Sequence, residues 1–252
     1  MDLLSCFPGN ISGKNINRTG ILNISGVSTY LWINILAVFI PVVLSFDRKV
    51  HFYTNWKYLI PAIILTGIVF IVWDIIFTEK GIWGFNPIHL SGIYVLNVPF
   101  EECLFFFTVP YASVFTYEVF NAYLKKDHLK KYQLYISIIF IITLTGLAIL
   151  FFRKMYTTVT AIILAVFLAL HQFIVKSKYL GRFYFSYLII LFPFLIINGL
   201  LTGSVITEEV VWYNPQEILG LRIFTIPVED TIYGMILIMM NVSIYEFLKK
   251  LY

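Results

Sequence analysis

A chain of 252 residues in which 60% are hydrophobic and only 13% charged, with a mean hydropathy of +0.85, is too apolar for a soluble domain, where charged residues make up about 25%. Its formal net charge of +4 gives no cause to expect nucleic acid, because the basic residues sit in short loops between apolar runs, where they set topology. The two cysteines, Cys6 and Cys103, stand in unlike surroundings and indicate neither a disulfide framework nor a metal site.

Residues 1–27 are polar, rich in glycine and asparagine, and contain no apolar core of signal-peptide length, so they read as a disordered and dispensable tail. Asn-x-Ser/Thr triplets begin at Asn10, Asn17 and Asn23 and would matter only in a glycosylating compartment. From residue 28 the pattern changes. A helix needs about 20 apolar residues to cross the hydrocarbon core, and seven segments supply them: 28–46, 57–77, 97–119, 132–151, 156–175, 184–206 and 226–248. The sixth is interrupted by Pro193, Asn198 and Gly199. The predicted fold class is an all-α integral membrane protein with about seven transmembrane helices. With the N-terminus outside, the inner side holds Arg48, Lys49, Lys57, Lys125, Lys126, Lys130, Lys131, Lys176, Lys178, Arg182, Lys249 and Lys250, which is 12 of the 18 basic residues against 6 on the other side. The positive-inside rule therefore predicts an outer N-terminus and a cytoplasmic C-terminus.

A stretch of 33 residues recurs without a gap 128 positions further on. Asn86-Pro87, Gly92, Pro99-x-Glu101-Glu102 and Tyr117-Glu118 align with Asn214-Pro215, Gly220, Pro227-x-Glu229-Asp230 and Tyr245-Glu246. The copies fall on the third and seventh spans, which run in the same direction. The expected organisation is two parallel three-helix pseudo-repeats, residues 28–119 and 156–252, joined by a connector helix within 120–155. Parallel repeats point to a shared site between the halves.

In each copy a proline opens the helix, where its missing N–H costs nothing, and carboxylates follow two and three residues later. The helix dipole favours negative charge there, while burial opposes it. Two adjacent carboxyls repel when both are ionised, so one of each pair is expected to keep a proton at neutral pH. A proton-holding carboxyl in a dry pocket is what a general acid requires. The alternative is that the acids cap helices at the membrane surface; repetition at identical spacing weighs against it. Glu118 and Glu246 close the same helices and are equally well explained as solvated helix ends. Asp74 in the second span and Asn198 in the sixth are polar residues in apolar helices, able to hydrogen-bond to the acidic pairs or to serve as interhelical contacts.

Aromatic residues crowd the acidic segments: Trp83, Phe85, Phe105, Phe106, Phe107, Tyr111, Trp212, Tyr213 and Tyr233. Some belong to an interfacial belt, whereas the Phe105–Phe107 run lies deeper and could line a pocket or stabilise a cation through its ring faces. Successive residues on a helix point about 100° apart, so at least one of the three faces lipid. No GxGxxG follows a strand, which gives no sign of a nucleotide cofactor fold. No DDxxD-like cluster is present to hold a magnesium diphosphate, and no lysine lies between Ile226 and Leu248 to form a retinal Schiff base. His51, His89, His128 and His171 show no metal-ligand spacing.

Together these residues resemble the lycopene cyclase domain family, the membrane-embedded carotenoid cyclases of the bacterial heterodimeric and fungal or archaeal fused type. The likeness rests on Phe70-Ile71-Val72-Trp73-Asp74, Gly81-Ile82-Trp83-Gly84-Phe85-Asn86-Pro87, Pro99-Phe100-Glu101-Glu102-Cys103-Leu104-Phe105-Phe106 and Val109-Pro110-Tyr111 in the first half. In the second it rests on Trp212-Tyr213-Asn214, Ile226-Pro227-Val228-Glu229-Asp230 and Tyr245-Glu246. It runs from about residue 28 to the C-terminus. The phytoene synthase domain of the fungal fusions has no counterpart in this sequence.

The resemblance implies a lycopene β-cyclase: proton-initiated, redox-neutral closure of a linear carotenoid end group to a β-ionone ring, without a cofactor. By motif match Glu101 and Glu229 would be the acid and base, with Glu102 and Asp230 setting their protonation or exchanging roles with them. Asp74, Asn198, Phe105, Phe106 and Tyr233 would support the pocket. The implied partners are lycopene drawn from the bilayer and membrane lipid, with a homo-oligomer or other carotenoid-pathway enzymes as compatible associations. Two rival readings use the same architecture. A small proton-coupled transporter would also carry intramembrane carboxylates in a three-one-three arrangement, but its polar residues should be spread through several spans, whereas here they gather near one end of the helices. A carotenoid-binding subunit without catalysis is the other, and intact carboxylate pairs in both halves argue against it.

Overall fold

The structure, a computed structural model, describes residues 28–124, 126–206 and 208–251. The expected tail of residues 1–27, with its three Asn-x-Ser/Thr triplets, lies outside the described residues. Each predicted span corresponds to a helix: α1 (Thr29–Leu44), α2 (Trp56–Glu79), α3 (Phe100–Tyr123), α4 (Gln133–Leu150), α5 (Met155–Ala169), α6 (Leu180–Leu201) and α7 (Val228–Leu251). A wider turn at Leu170–Ile174 prolongs α5. Six of these helices are long and apolar enough to cross a membrane, and α1, with 16 residues, is shorter. Apolar runs of this length become helices because a segment in hydrocarbon must satisfy its own N–H and C=O groups.

Helix ends follow local chemistry. Ser28 caps α1 by accepting the Leu31 N–H at 3.0 Å. Pro99 and Pro227 immediately precede α3 and α7. Lys249 and Lys250 occupy the last turn of α7, where the helix dipole favours cations.

The bundle is built around α3 and α7. Helix α1 packs on α3 and α5 packs on α7, while α2 touches both α3 and α7, α6 lies against α3 and α7, and α4 leans on α5. The two halves are thus parallel three-helix pseudo-repeats with α4 as the connector.

The duplication reaches into the loops that precede α3 and α7. Strands β2 (Tyr94–Val95) and β3 (Val98–Pro99) pair Tyr94 with Pro99 and Val95 with Val98. Strands β5 (Arg222–Ile223) and β6 (Ile226–Pro227) pair Arg222 with Pro227 and Ile223 with Ile226, the same register one repeat later. Leu96 and Phe224 turn these hairpins with φ of 59° and 57°. Such left-handed backbone is costly for a side-chain-bearing residue, yet it occurs in both copies.

One ribbon joins the halves. Strand β1 (Trp83–Phe85) pairs antiparallel with β4 (Val211–Tyr213), setting Gly84 opposite Trp212. Asn86 N–H donates to Val210 O at 2.8 Å and Asn214 N–H to Ile82 O at 2.9 Å. Both members of each bond have their repeat equivalents in the other bond, so the ribbon straddles the pseudo-twofold axis. At that axis Gly84 meets Trp212, its own counterpart. A Cβ at Gly84 would lie 2.3 Å from Trp212 Cζ2, so glycine in one half makes room for the indole of the other.

Gly84→Ala is expected to lower stability by about 1–3 kcal/mol through overpacking at this crossing. Gly146→Ala inside α4, where an added Cβ meets nothing within 4 Å, is expected to cost no stability and to add up to about 1 kcal/mol through helix propensity. Thermal unfolding of both purified variants in detergent, beside the parent protein, checks the pair.

Candidate active site

The N-terminal turns of α1, α3, α5 and α7 and the C-terminal parts of α2 and α6 meet at one end of the bundle, beneath the β1–β4 ribbon. This brings both carboxylate pairs together. Glu101 accepts the Ser28 hydroxyl and the Ser91 N–H, each at 2.6 Å. In the second half Glu229 accepts the Thr157 hydroxyl and the Leu219 N–H, each at 2.5 Å. Ser91 and Leu219 are repeat equivalents, so in each half a loop amide and a hydroxyl from the neighbouring helix hold the first carboxyl.

The second carboxyl of each pair is held by tyrosine. Tyr30 donates to Glu102 at 2.5 Å, while Tyr156 and Tyr213 donate to Asp230 at 2.7 and 2.9 Å. Burial first, and then the Asp230 carboxyl, push the Tyr213 hydroxyl well above the ordinary tyrosine pKa, so it remains a donor. Asp74, buried near the end of α2, accepts the Trp83 indole N–H at 2.6 Å through Oδ1. Its Oδ2 has no partner among the described residues.

Asp74, Glu102 and Asp230 line a single cavity of about 40 Å³ between the halves. Tyr30, Trp83, Phe105, Tyr156, Phe194, Asn198, Tyr213 and Tyr233 form much of the remaining wall. No lysine or arginine is among its lining residues. Three carboxyls thus face one apolar, aromatic enclosure without a cation among them, and they repel one another whenever more than one is ionised.

Glu101 and Glu229 are also fully buried, but they sit behind this wall and do not line the cavity. Asp74 and Asn198 do line it, though neither bonds to an acidic pair: Asp74 is bound to Trp83, and Asn198 Nδ2 donates to Phe194 O within its own helix at 3.1 Å. The three phenylalanines of α3 part company. Phe105 faces the cavity, Phe106 is buried against Phe70 with ring centroids 5.8 Å apart, and Phe107 is exposed. Tyr233 contributes its ring, packed edge-on against Phe70 and Trp73.

Sequence reasoning passes over the donors Ser28, Tyr30, Tyr156 and Thr157. They stand at the starts of the first and fifth spans, where tyrosines and hydroxyls look like membrane-interface residues. One signal existed: each lies at the head of a helix that flanks a carboxylate-bearing helix in a parallel repeat.

The second conserved element of the duplication, Tyr-Glu, lies at the opposite end and away from the cavity. Tyr117 donates to Glu246 at 2.8 Å, and Lys249 Nζ lies 2.9 Å from Glu118 Oε2. Asn121 also donates to Glu118 at 3.0 Å and accepts from Arg182. Glu118 is buried, so a solvated helix end does not describe it. These contacts clasp α3 to α7.

A family model described as lycopene cyclase matches residues 27–120 and 153–248. No curated protein and no solved structure gives a significant match. The two matched stretches take in both carboxylate pairs, the β1–β4 ribbon and nearly all of the six repeat helices, and leave out α4. With more than half of its length matched in this way, the chain belongs to the lycopene cyclase family.

Proposed function

We propose that the protein is a lycopene β-cyclase that closes the end groups of a linear carotenoid by proton transfer within the membrane. A carboxylic acid gives its proton to the terminal double bond of lycopene, leaving a tertiary carbocation. The neighbouring double bond attacks it and closes a six-membered ring. A carboxylate then removes a ring proton, and the new double bond completes a β-ionone end. One proton enters and one leaves, so the product is an isomer of the substrate and no electron carrier takes part.

The observation that carries this reading is the convergence of Asp74, Glu102 and Asp230 on one cavity without a lysine or arginine in its wall. Repulsion among three buried carboxyls favours a proton on at least one of them, and a buried carboxyl that keeps its proton is a competent general acid. Glu102 and Asp230 are the acid and base in this mechanism, since they reach the cavity from opposite halves. Asp74 is the third carboxyl, oriented by Trp83. Glu101 and Glu229 are positioning residues: each ties the first turn of its helix to a loop amide and to a hydroxyl next door. The aromatic rings of Trp83, Tyr156, Tyr213 and Tyr233 in the cavity wall suit a transient carbocation, and an end group filling so small a space leaves no room for the water that would quench it.

Expression in a lycopene-accumulating bacterium, followed by chromatography of the pigments, is expected to show conversion of lycopene to γ-carotene and β-carotene. Unchanged lycopene despite confirmed membrane insertion would overturn the assignment. Glu102→Gln and Asp230→Asn are each expected to cut conversion by roughly 10²–10⁴-fold, the contribution of a positioned acid or base. Glu101→Gln and Glu229→Gln are expected to lose less; equal losses in all four variants would move the acid to the other member of each pair. The excess of basic residues in the loops on one side supports a cytoplasmic C-terminus. A green fluorescent protein fused after Tyr252 is therefore expected to fluoresce and an alkaline phosphatase fused there to be inactive, and the reverse pattern would invert the topology.

A further inference from the structure

The cavity that holds the carboxyls has room for no more than a few waters, too little for the end group that must fold there. Beside it lies a second, much larger space of about 410 Å³ between α1, α3 and α6, within the range of ligand pockets. Helix α1 contributes every fourth residue from Ile33 through Ala37 to Pro41, and α3 a matching stripe from Val109 to Thr116. Only Ser113 and Thr116 bring hydroxyls, and that of Thr116 is spent on Ala112 O at 2.8 Å. Leu36, Ile40 and Ile196 at the rim are exposed on the outer surface of the bundle, so the groove opens towards lipid.

One residue belongs to both spaces: Phe194. Its ring rests over the α7 backbone, where a Cβ on Gly234 would lie 2.5 Å from Phe194 Cζ. In the first repeat the position equivalent to Gly234 is Phe106, so the duplication departs from itself where the partition needs space. Pro193 stands immediately before Phe194 and removes a backbone hydrogen bond from α6 there. The helix can therefore bend at the partition.

We propose that the α1–α3–α6 groove binds the polyene chain of a linear carotenoid, whose end group passes Phe194 to reach the carboxyls. This rests on the cyclase reading for the identity of the occupant. The feature that selects it over other apolar molecules is position, since only the side chain of Phe194 is common to the groove and the acid cavity; the apolar lining and the opening to the bilayer in which the substrate dissolves suit the same occupant.

A neighbouring apolar cavity supplies the control. It measures about 210 Å³, lies between α1, α2 and α3, includes Val38, and shares no lining residue with the acid cavity. Ala37→Phe fills the proposed groove and Val38→Phe fills the control, from adjacent positions on one helix. In the purified protein reconstituted into liposomes with limiting lycopene, Ala37→Phe is expected to lower the rate by roughly tenfold or more, and Val38→Phe to leave it within about twofold. Pigment bound after detergent extraction from lycopene-accumulating cells gives a readout without catalysis. In a Glu102→Gln background, Ala37→Phe is expected to strip most of the lycopene and Val38→Phe to retain it. Ala37→Leu replaces Ala37→Phe if the larger side chain prevents folding, judged by thermal unfolding. Equal behaviour of the two positions in both readouts overturns the groove, and with a wild type that cyclises lycopene it leaves the cyclase reading standing. A wild type that holds lycopene unchanged, and loses it in Ala37→Phe, overturns the cyclase reading and keeps the groove.

Discussion

Everything at the acidic end of this bundle answers one constraint: carboxyl groups in an apolar interior need donors, and among the described residues none of the five that gather here forms a salt bridge. Glu101 and Glu229 obtain a loop amide and a hydroxyl each, Glu102 a tyrosine, Asp230 two tyrosines, and Asp74 an indole. The sources are spread over α1, α5, β1, β4 and the loops before α3 and α7. Meeting the demand therefore fixes where those elements lie. A buried polar group left without its partner costs about 1–3 kcal/mol, so the network of donors is also a set of instructions for assembling the two halves. Its opposite is the Tyr117–Glu246 and Lys249–Glu118 clasp, where a lysine does share the burden and the outcome is mechanical.

The two halves are copies in backbone and differ in side chains where copies cannot coexist. On the pseudo-twofold axis a residue faces its own equivalent, and two indoles cannot occupy one place. Gly84 opposite Trp212 resolves that conflict. The exchange of Phe106 for Gly234 is of the same kind, but off the axis, and it frees space for Phe194 beside the carboxyls. Duplication supplies a matched pair of acids; these departures from symmetry give the pair one enclosure to share.

The helices are legible in the sequence because a bilayer leaves an apolar run of that length almost no other structure to adopt. The duplication is legible because gapless spacing survives divergence, down to the turn at Leu96 and Phe224. The division of labour within each Glu-Glu or Glu-Asp pair is not. Adjacent residues on a helix point about 100° apart, and which of them meets the cavity depends on how α1 and α5 approach. Glu118 illustrates the same limit: it reads as a solvated end until α3 and α7 are known to touch, and then it is a buried partner of Lys249. The first span is read as 28–46, yet its helix stops at Leu44, where the Ser45 hydroxyl turns back to Pro41 O at 2.7 Å.

One carboxyl of each acidic pair opens onto the same cavity, although the chain carries two of everything needed to build a pair. A molecule with two reactive ends cannot be served at both together, so on the proposed reading the half-finished product must withdraw, reverse in the membrane and be captured again. The ratio of one-ringed to two-ringed product then measures a competition between recapture and escape into the lipid. Bilayer fluidity and the crowding of other pigment-handling proteins would shift that ratio with no change in the protein itself.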